Sequence, residues 1–208
     1  MTVHTLTVGD MGTNAYLVAG DDKTAAIIDP GGDGDRLLRE VSRHALTVKA
    51  ILLTHTHEDH IAALEQVRRA TGAPIYVHQD DACGLTDPEY NLSIMLSGMP
   101  LPPIRNAVLL EEGDEVLVGA MTFRTLHTPG HTKGSVCFAC EDCLFTGDTL
   151  FRESIGRTCY PSGSLPILLQ SVNRLMQMEG DYAVLPGHGA PSTLNHERQE
   201  NPFVNGTF

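Results

Sequence analysis

The chain has 208 residues, and its 14 Lys and Arg against 26 Asp and Glu give a formal net charge of −12 at pH 7. This length favours a single globular domain over residues 1–208. The acidic surplus argues against a nucleic-acid partner, which binds basic surfaces, and no apolar run approaches the roughly 18 residues of a membrane span. Met1–Gly9 lacks the basic and apolar regions of a secretory signal, so we expect a cytoplasmic protein.

Short strands separated by Gly and Asp turns begin the chain, and a strand–loop–helix unit follows them. The continuous apolar run at 48–53 is typical of a strand that is buried on both faces. Leu37, Leu38 and Val41 recur near helical spacing. We predict strands over 3–8, 15–18, 24–28, 48–53 and 74–77. We predict helices over 33–46 and 61–70.

The second half of the chain repeats this alternation after an irregular segment, 81–106, that is rich in Pro and Gly. Several of its apolar side chains suit a substrate wall, a partner surface, or lid or core packing: Leu92, Ile94, Met95, Leu96 and Met99. We predict helices near 93–97 and over 166–178. We predict strands over 115–118, 121–126, 135–139, 143–145 and 182–185. Two sheets with helices outside them fit this order.

The five cysteines are an odd number in a chain that is too long to depend on disulfides, so we expect reduced thiols. Cys137, Cys140 and Cys143 form a CxxCxxC run, which occurs in iron–sulfur and zinc sites, but no fourth ligand stands at suitable spacing. The run fits two short strands around a Glu-Asp turn. We therefore predict cysteines buried in a sheet rather than metal ligands.

A dense group of metal-ligating residue types follows the strand predicted at 48–53, in the sequence THTHEDH. Residues two apart point the same way in an extended segment, so His55 and His57 can bind one cation from the same side. Asp59 and His60 lie where the chain turns into a helix, and they face differently. The motif thus offers two ligand pairs, as a two-metal hydrolase needs. A polar loop with Asp59 as a helix cap is the alternative.

Three more candidates stand at the ends of later strands, where functional residues concentrate. His131 lies in a Pro-Gly turn, Asp148 follows Gly147, and His188 lies between two glycines. With the first motif they make five imidazoles and two carboxylates. This set suits two zinc-class ions with Asp148 between them and open positions for water. Structural zinc sites are closed, usually by Cys, so the set predicts a hydrolytic centre.

THTHEDH, followed in order by PGHT, TGD and PGHG, resembles the metallo-β-lactamase fold superfamily. The resemblance implies an α/β fold, α+β in some schemes, built as a four-layer αββα sandwich with two metals at one edge between the sheets. Zinc is the expected metal, with iron or manganese as alternatives. The implied ligands are His55, His57 and His131 for the first metal, Asp59, His60 and His188 for the second, and Asp148 as the bridge. By the same resemblance, Asp59 and Asp148 are the catalytic residues.

Within that superfamily the chain resembles the glyoxalase II-like hydrolases, through GDTLF at 147–151, IGRT at 155–158 and ENPF at 200–203. This resemblance implies a thioesterase that cleaves S-acylglutathione or related acyl-thioesters through a hydroxide bridging the two metals. Cys159 stands where this group usually has Asp, and only about twenty residues follow His188, so the helical extension that helps hold glutathione is not expected. The acyl and thiol portions of the substrate therefore stay open.

A second enzyme class shares these motifs. Persulfide dioxygenases resemble the same sequence but use one iron, and His55, His131 and Asp148 would be its ligands here. The ligand inventory does not separate the two classes. Nucleases and zinc β-lactamases fit less well, a lactonase acting on acyl-homoserine lactones stays open, and a non-catalytic binding module is expected to have lost ligands. The oligomeric state is also open, with a homodimer as one alternative.

Lys133 and Arg157 lie next to the ligand loops of an acidic protein, and either could bind a substrate carboxylate. Solvated surface charge is the alternative for both. His127, four residues before His131, is expected to support the site or the fold. We expect no partners at ligand spacing for the remaining histidines: His4, His44, His78 and His196.

Overall fold

The computed structural model describes residues 1–206. Its strands are β1 (Thr2–Val8), β2 (Thr13–Ala19), β3 (Thr24–Ile28), β4 (Thr47–Leu52), β5 (Ile75–His78), β6 (Val108–Leu110), β7 (Glu115–Val118), β8 (Met121–His127), β9 (Val136–Cys140), β10 (Cys143–Gly147), β11 (Leu150–Phe151), β12 (Ser154–Ile155), β13 (Ala183–Pro186) and β14 (Ser192–Thr193). Its helices are α1 (Gly34–Arg43), α2 (Glu58–Ile61), α3 (Leu64–Thr71), a 3-10 helix (Gln79–Leu85), α4 (Ser93–Leu96), α5 (Leu165–Met176), α6 (Leu194–Glu200) and α7 (Pro202–Asn205). No helix in this part of the chain is long and apolar enough to cross a membrane.

The first sheet runs in the order β1-β2-β3-β4-β5-β6, antiparallel from β1 to β3 and parallel from β3 to β6. The apolar run predicted as an internal strand forms β4, inside this sheet. Successive side chains of a strand point to opposite faces. Ala50 and Leu52 therefore pack on one face of the sheet, whereas Ile51 and Leu53 pack on the other, among side chains of α1 and α3.

The second sheet runs in the order β14-β13-β10-β9-β8-β7, with β10 and β13 parallel and the other pairs antiparallel. It meets the first sheet across a core that contains the fully buried Phe123, Phe138 and Phe145. Each such side chain contributes about 1.5–3 kcal/mol to folding by leaving water. On the outer face of the second sheet, Leu168 and Val172 of α5 pack into a separate apolar cluster. Helices thus cover the outer face of each sheet, which confirms the predicted αββα sandwich.

The helix predicted over 61–70 is wrong in its boundaries, because the structure has two helices, α2 and α3, in its place. The first begins three residues earlier, at Glu58. The break lies at Ala63, whose backbone N–H donates to Pro30 O at 2.9 Å instead of bonding within the helix. This contact ties the ligand-bearing helix to the end of β3, and periodicity alone does not reveal it.

The helix predicted over 33–46 ends at Arg43, since the chain reverses at Ala45, where φ is +52°. The short helix near 93–97 is confirmed as α4. Sequence patterns missed the elements of two to seven residues: β6, β11, β12, β14, the 3-10 helix, α6 and α7.

The cysteine run behaves as predicted. Strands β9 and β10 form a hairpin around Glu141 and Asp142, with Cys137 and Cys140 buried and Cys143 partly buried. All five cysteines are free. No group of metal-ligating side chains within residues 1–206 includes a cysteine. Cys137, Cys140 and Cys143 therefore belong to the packing of the sheet, whereas Cys83 and Cys159 are exposed.

Candidate metal centre

The candidate ligands lie in loops that leave the carboxyl ends of four strands, β4, β8, β10 and β13. Strands β8, β10 and β13 run in the same direction, so their loops meet at one edge of the second sheet. The loop after β4 joins them there, because Val136 N–H donates to Thr54 O at 2.8 Å. Ligands of α/β proteins commonly bind at such an edge. The structure brings all seven predicted ligands together at this place.

Three groups of side chains at this edge could hold a metal ion, and one of them (His55, His60 and Asp148) joins the other two. His55, His57 and His131 form the first of these other two. Nε2 of His131 lies 3.2 Å from Nε2 of His55 and 2.9 Å from Nδ1 of His57. Burial lowers the pKa of His55 well below its usual value and that of His57 to about 3. The imidazoles of His55 and His57 are therefore neutral near pH 7, as a metal ligand must be.

Asp59, His60 and His188 form the second group. Nε2 of His188 lies 3.1 Å from Oδ2 of Asp59, and Nε2 of His60 lies 3.6 Å from the same oxygen. The hydroxyl of Thr13 donates to this Asp59 oxygen at 3.1 Å and so fixes the carboxylate. Burial by itself would raise the pKa of Asp59, but the facing His60 and His188 bring it below the usual range.

Asp148 lies between the two groups. Its Oδ2 is 3.6 Å from Nε2 of His131, whereas its Oδ1 is 3.3 Å from Nε2 of His60 and 3.7 Å from Nε2 of His188. Burial would raise the pKa of Asp148, but these histidines lower it to about 2. One carboxylate thus presents a different oxygen to each group, which is the arrangement that a bridging ligand requires.

The residues fit a cation, as two buried atoms show. Nε2 of His60 and Oδ1 of Asp148 have no hydrogen-bond partner within residues 1–206. Burying polar atoms without a partner is costly. A divalent ion would satisfy both atoms at once, because imidazole nitrogen and carboxylate oxygen are ligands that zinc and iron accept.

Outer contacts orient these ligands, as they do in many metal sites. Nδ1 of His60 lies 2.9 Å from Oδ2 of Asp29, and Nδ1 of His131 lies 2.6 Å from the backbone oxygen of Arg157. Asp29 also accepts from Thr54, from its N–H at 2.8 Å and its hydroxyl at 2.6 Å. The sequence analysis missed Asp29, although its place at the end of β3, before Pro-Gly-Gly, was a usable signal.

A second buried carboxylate, Asp81, joins the two ligand loops. Its Oδ2 accepts from the N–H of Thr56 at 3.1 Å and the hydroxyl of Thr132 at 2.9 Å. Its Oδ1 accepts from the N–H of Gly134 at 2.9 Å and the hydroxyl of Tyr90 at 2.8 Å. Asp81 therefore holds the neighbours of His55, His57 and His131 in one network. Its position at the start of a segment predicted to be irregular concealed it.

The chain approaches Asp148 too closely for side chains at two positions. A Cβ on Gly187 would lie 2.3 Å from Oδ1 of Asp148 and 2.7 Å from Cε1 of His60. A Cβ on Gly156 would lie 1.8 Å from the backbone oxygen of Asp148. Glycine at these positions lets the loops close around the site.

A cavity of about 290 Å³ opens onto both groups. Its lining includes Leu92 and Leu96, so these two members of the apolar segment form part of a cavity wall. Arg157 also lines the cavity, as expected for a residue that could bind a substrate carboxylate. Lys133 does not line it, and its ammonium lies 5.7 Å from the ring centre of Tyr90. The other lining residues are Met11, His57, Asp59, His131, Asp148, Phe151, Tyr160 and His188.

His78 has neighbours in space that its sequence position did not predict. His78, Asp80 and His127 form a further group of ligand-type side chains. The rings of His78 and His127 stack with centres 4.0 Å apart and planes 15° from parallel. Lone pairs of imidazole lie in the ring plane, so parallel rings do not converge on one ion. His127 has the structural role expected of it, because its Nε2 lies 2.9 Å from the backbone oxygen of Lys133.

Sequence comparisons show which family this chain belongs to. The profile of the metallo-β-lactamase superfamily matches residues 8–188. The probable metallo-hydrolase YqgX of Bacillus subtilis is 39% identical over 202 residues, which cover 96% of this chain and 95% of that protein. The hydroxyacylglutathione hydrolase GloC of Haemophilus influenzae is 34% identical over 213 residues, which cover 99% of each.

Solved structures share the fold over almost the whole chain. The BLEG-1 B3 metallo-β-lactamase has a TM-score of 0.94 at 40% identity, covering 99% of this chain and 100% of that one. TTHA1623 in a di-iron-bound form has a TM-score of 0.86 at 36% identity, covering 97% and 100%. With its His and Asp cluster at the edge of an αββα sandwich, the chain belongs to the metallo-β-lactamase superfamily and is a metallo-hydrolase of that fold.

Proposed function

We propose that this protein is a metal-dependent thioesterase that hydrolyses S-acylglutathione or related acyl-thioesters. The observation that carries the proposal is the position of Asp148, whose two carboxylate oxygens face two separate ligand groups. The substrate class is supported by the 34% identity to the Haemophilus influenzae hydroxyacylglutathione hydrolase, which extends over 99% of both chains. Free cysteines throughout the chain support a cytoplasmic location.

The proposed ligands follow the two groups described above. His55, His57 and His131 would hold one ion, Asp59, His60 and His188 would hold the other, and Asp148 would offer an oxygen to each. When bound, two divalent ions, zinc in the first instance, supply hydroxide near neutral pH and stabilise negative charge on the oxygen of an attacked carbonyl. Asp59 and Asp148 are the proposed catalytic carboxylates, because they would hold the two ions in position.

The protein's own side chains bind the substrate and limit the access of water. Leu92, Leu96 and Phe151 give the cavity an apolar wall that suits the hydrocarbon of an acyl group. Arg157 binds a carboxylate of the substrate at the same cavity. Because the backbone oxygen of Arg157 also contacts His131, substrate binding and ligand position share one segment of chain.

The leaving group needs little help from the protein. A thiol has a pKa of about 8.5, so the thiol portion can depart as a thiolate without a general acid. The residues that line the cavity include no serine or cysteine, and the proposed mechanism uses no side-chain nucleophile. Of the acyl compounds that such a site could attack, a thioester is easier to cleave than an amide or an alkyl ester, because its leaving group departs without a proton.

The test is hydrolysis of S-lactoylglutathione and a panel of acyl-thioesters by protein that carries its metals. We expect hydrolysis that is faster than in buffer alone. Asp148→Asn should lose more activity than the roughly 10–100-fold that is typical when a residue contacting a metal ligand is changed. A chromogenic β-lactam is the control substrate, because the BLEG-1 β-lactamase shares the fold at 40% identity. Absence of thioester turnover with both metals present, or a preference for the β-lactam, would refute the proposal.

The second candidate is a persulfide dioxygenase that uses one iron. Nε2 of His131 lies 3.2 Å from Nε2 of His55 and 3.6 Å from Oδ2 of Asp148, so His131 lies close to both of the other iron ligands in this candidate. The di-iron-bound form of TTHA1623 adds support for iron in a protein of this fold. One iron per chain together with persulfide-dependent oxygen uptake would favour this candidate over the thioesterase.

A further inference from the structure

The segment between β12 and α5, residues 156–164, carries two of the side chains that line the cavity over the metal centre, Arg157 and Tyr160. Residues 156–164 form neither a strand nor a helix. The guanidinium of Arg157 makes no hydrogen bond or ion pair with any group in residues 1–206. The position of Arg157 at the cavity therefore depends on the contacts that hold the backbone of this segment.

The loop that carries His131 fixes both ends of the segment. The backbone oxygen of Arg157 lies 2.6 Å from Nδ1 of His131, and the N–H of Ser164 donates to Gly130 O at 2.7 Å. Between these two points the backbone passes through Ser162, where φ is +65°. This left-handed conformation is disfavoured for residues other than glycine, so it persists only where neighbouring contacts hold it.

The hydroxyl of Ser162 makes such contacts. Its Oγ lies 3.1 Å from the hydroxyl oxygen of Tyr90 and accepts from the N–H of Lys133 at 3.2 Å. Burial and the charge of Asp81 raise the pKa of Tyr90, so its hydroxyl keeps its proton. That single proton is donated to Oδ1 of Asp81 at 2.8 Å, and Ser162 is therefore the donor in its contact with Tyr90. Three hydrogen bonds thus run in one direction, from Lys133 to Asp81, and each strengthens the next.

The Tyr90 hydroxyl thereby joins this segment to the network that holds the metal ligands. Asp81 keeps three other donors without it: the N–H of Thr56, the hydroxyl of Thr132 and the N–H of Gly134. Loss of the Tyr90 hydroxyl should therefore loosen the segment that carries Arg157 and leave the ligand loops in place.

We propose that Tyr90 is a positioning residue for substrate binding, and that its hydroxyl fixes residues 156–164 so that Arg157 reaches the substrate. The proposal rests on the proposed function in taking Arg157 as the contact for a substrate carboxylate. Tyr90 does not itself line the cavity, so it acts through the segment rather than by touching the substrate. A segment that is already fixed loses less conformational freedom when the substrate binds.

Tyr90→Phe is the decisive variant, because it removes the hydroxyl and keeps the ring that faces the Lys133 ammonium. The probe is S-propylglutathione, a thioether that bears carboxylates and that the enzyme cannot hydrolyse. Calorimetric titration of the metal-loaded protein gives its dissociation constant. We expect Tyr90→Phe to raise this constant about fivefold, the effect of one lost neutral hydrogen bond.

Two further single variants frame this result. Ser162→Ala removes the same contact from its other side, at an exposed position that puts folding at little risk, and it should weaken binding to a similar extent. Tyr182→Phe is the matched control, since Tyr182 is half-buried and does not line the cavity. We expect Tyr182→Phe to leave the dissociation constant unchanged.

A double variant separates positioning from a general loss of structure. Arg157→Ala removes the group that Tyr90 is proposed to position. Adding Tyr90→Phe to Arg157→Ala should therefore weaken binding no further, whereas the effects of independent residues add.

A second readout needs no ligand. Trypsin cleaves after Arg157 when the segment opens, and the rate follows the population of the open form. We expect cleavage of the metal-loaded protein after Arg157 to be about fivefold faster in Tyr90→Phe. Cleavage after Lys23, in the exposed turn between β2 and β3, should proceed at the same rate in both proteins.

Failure of S-propylglutathione to bind the natural protein, an equal dissociation constant in Tyr90→Phe, additive losses in the double variant, or unchanged cleavage after Arg157 would overturn the proposal. Neither experiment depends on thioesterase activity. The expected effects of Tyr90→Phe in a protein without thioester turnover would refute the proposed function and leave the positioning role standing. Thioester turnover without these effects would do the reverse.

Discussion

Asp29 lies 2.9 Å from Nδ1 of His60, and this contact leaves Nε2 as the ring nitrogen that can bind a metal. Nε2 is buried, without a hydrogen-bond partner in residues 1–206, and directed at Asp59 and Asp148. The carboxylate therefore sets both the tautomer and the direction of a proposed ligand of the second metal.

Asp29→Asn should weaken binding of one metal and leave the other in place. The variant keeps an oxygen that can accept from Thr54, but it loses the negative charge that favours a proton on Nδ1 of His60. We expect a loss of about 10–100-fold in the affinity of one of the two sites. Competition with a chromogenic chelator measures this loss. Asp21→Asn, at an exposed position, serves as the control, and unchanged affinity in Asp29→Asn would show that the contact does not orient His60.

Asp81→Ala should destabilise the protein even when no metal is present. The change leaves the N–H groups of Thr56 and Gly134 and the hydroxyl of Thr132 without their acceptor in a buried place. We expect the free energy of unfolding to fall by about 3 kcal/mol, since each unsatisfied buried donor costs about 1–3 kcal/mol and the loop can relax in part. Urea denaturation of metal-free protein measures it. Asp80→Asn, next to it and exposed, should change stability little.

The same network should matter for the first metal in particular. Thr56 lies between His55 and His57, and Thr132 follows His131, so a loosened Asp81 network misplaces all three imidazoles. Asp81→Asn keeps one acceptor oxygen, so it should be more stable than Asp81→Ala. Its affinity for the metal should still be lower than that of the natural sequence. Equal metal affinity in Asp81→Ala and the natural protein would contradict this role.

Arg157 and Lys133 should differ in their effect on substrate binding, although both were candidates from the sequence. Arg157 lines the cavity, whereas the Lys133 ammonium lies over Tyr90. We expect Arg157→Ala to lower kcat/KM for a carboxylate-bearing thioester about tenfold, mainly through KM, the size of one lost charged hydrogen bond. Lys133→Ala should leave kcat/KM close to its original value. Equal losses of kcat/KM in the two variants would mean that Arg157 and Lys133 act through the electrostatic potential of the site rather than through contact with the substrate.

The set of proposed ligands could be predicted because each member sits in a short motif whose residue types are unusual for a loop. The two-residue period of an extended chain was enough to predict that His55 and His57 point the same way. His131, Asp148 and His188 each follow the end of a strand. The structure places them together, and their assignment to two metals stays a prediction.

The residues that support the site could not be predicted in the same way. Apart from the contact of Asp81 with Tyr90, the partners of Asp29 and Asp81 lie 25 to 53 residues away in the chain, and the Pro-Gly-Gly after Asp29 does not show which residues it contacts. The break between α2 and α3 depends on a hydrogen bond from Ala63 to Pro30, which periodicity does not detect.

Metal analysis of the purified protein and of its Asp148→Asn variant shows directly whether Asp148 bridges two divalent ions. We predict two ions per chain in the natural protein and fewer than two in the variant, because one carboxylate contacts both groups. A single iron per chain in the natural protein, or two ions retained at full affinity in Asp148→Asn, would contradict the account.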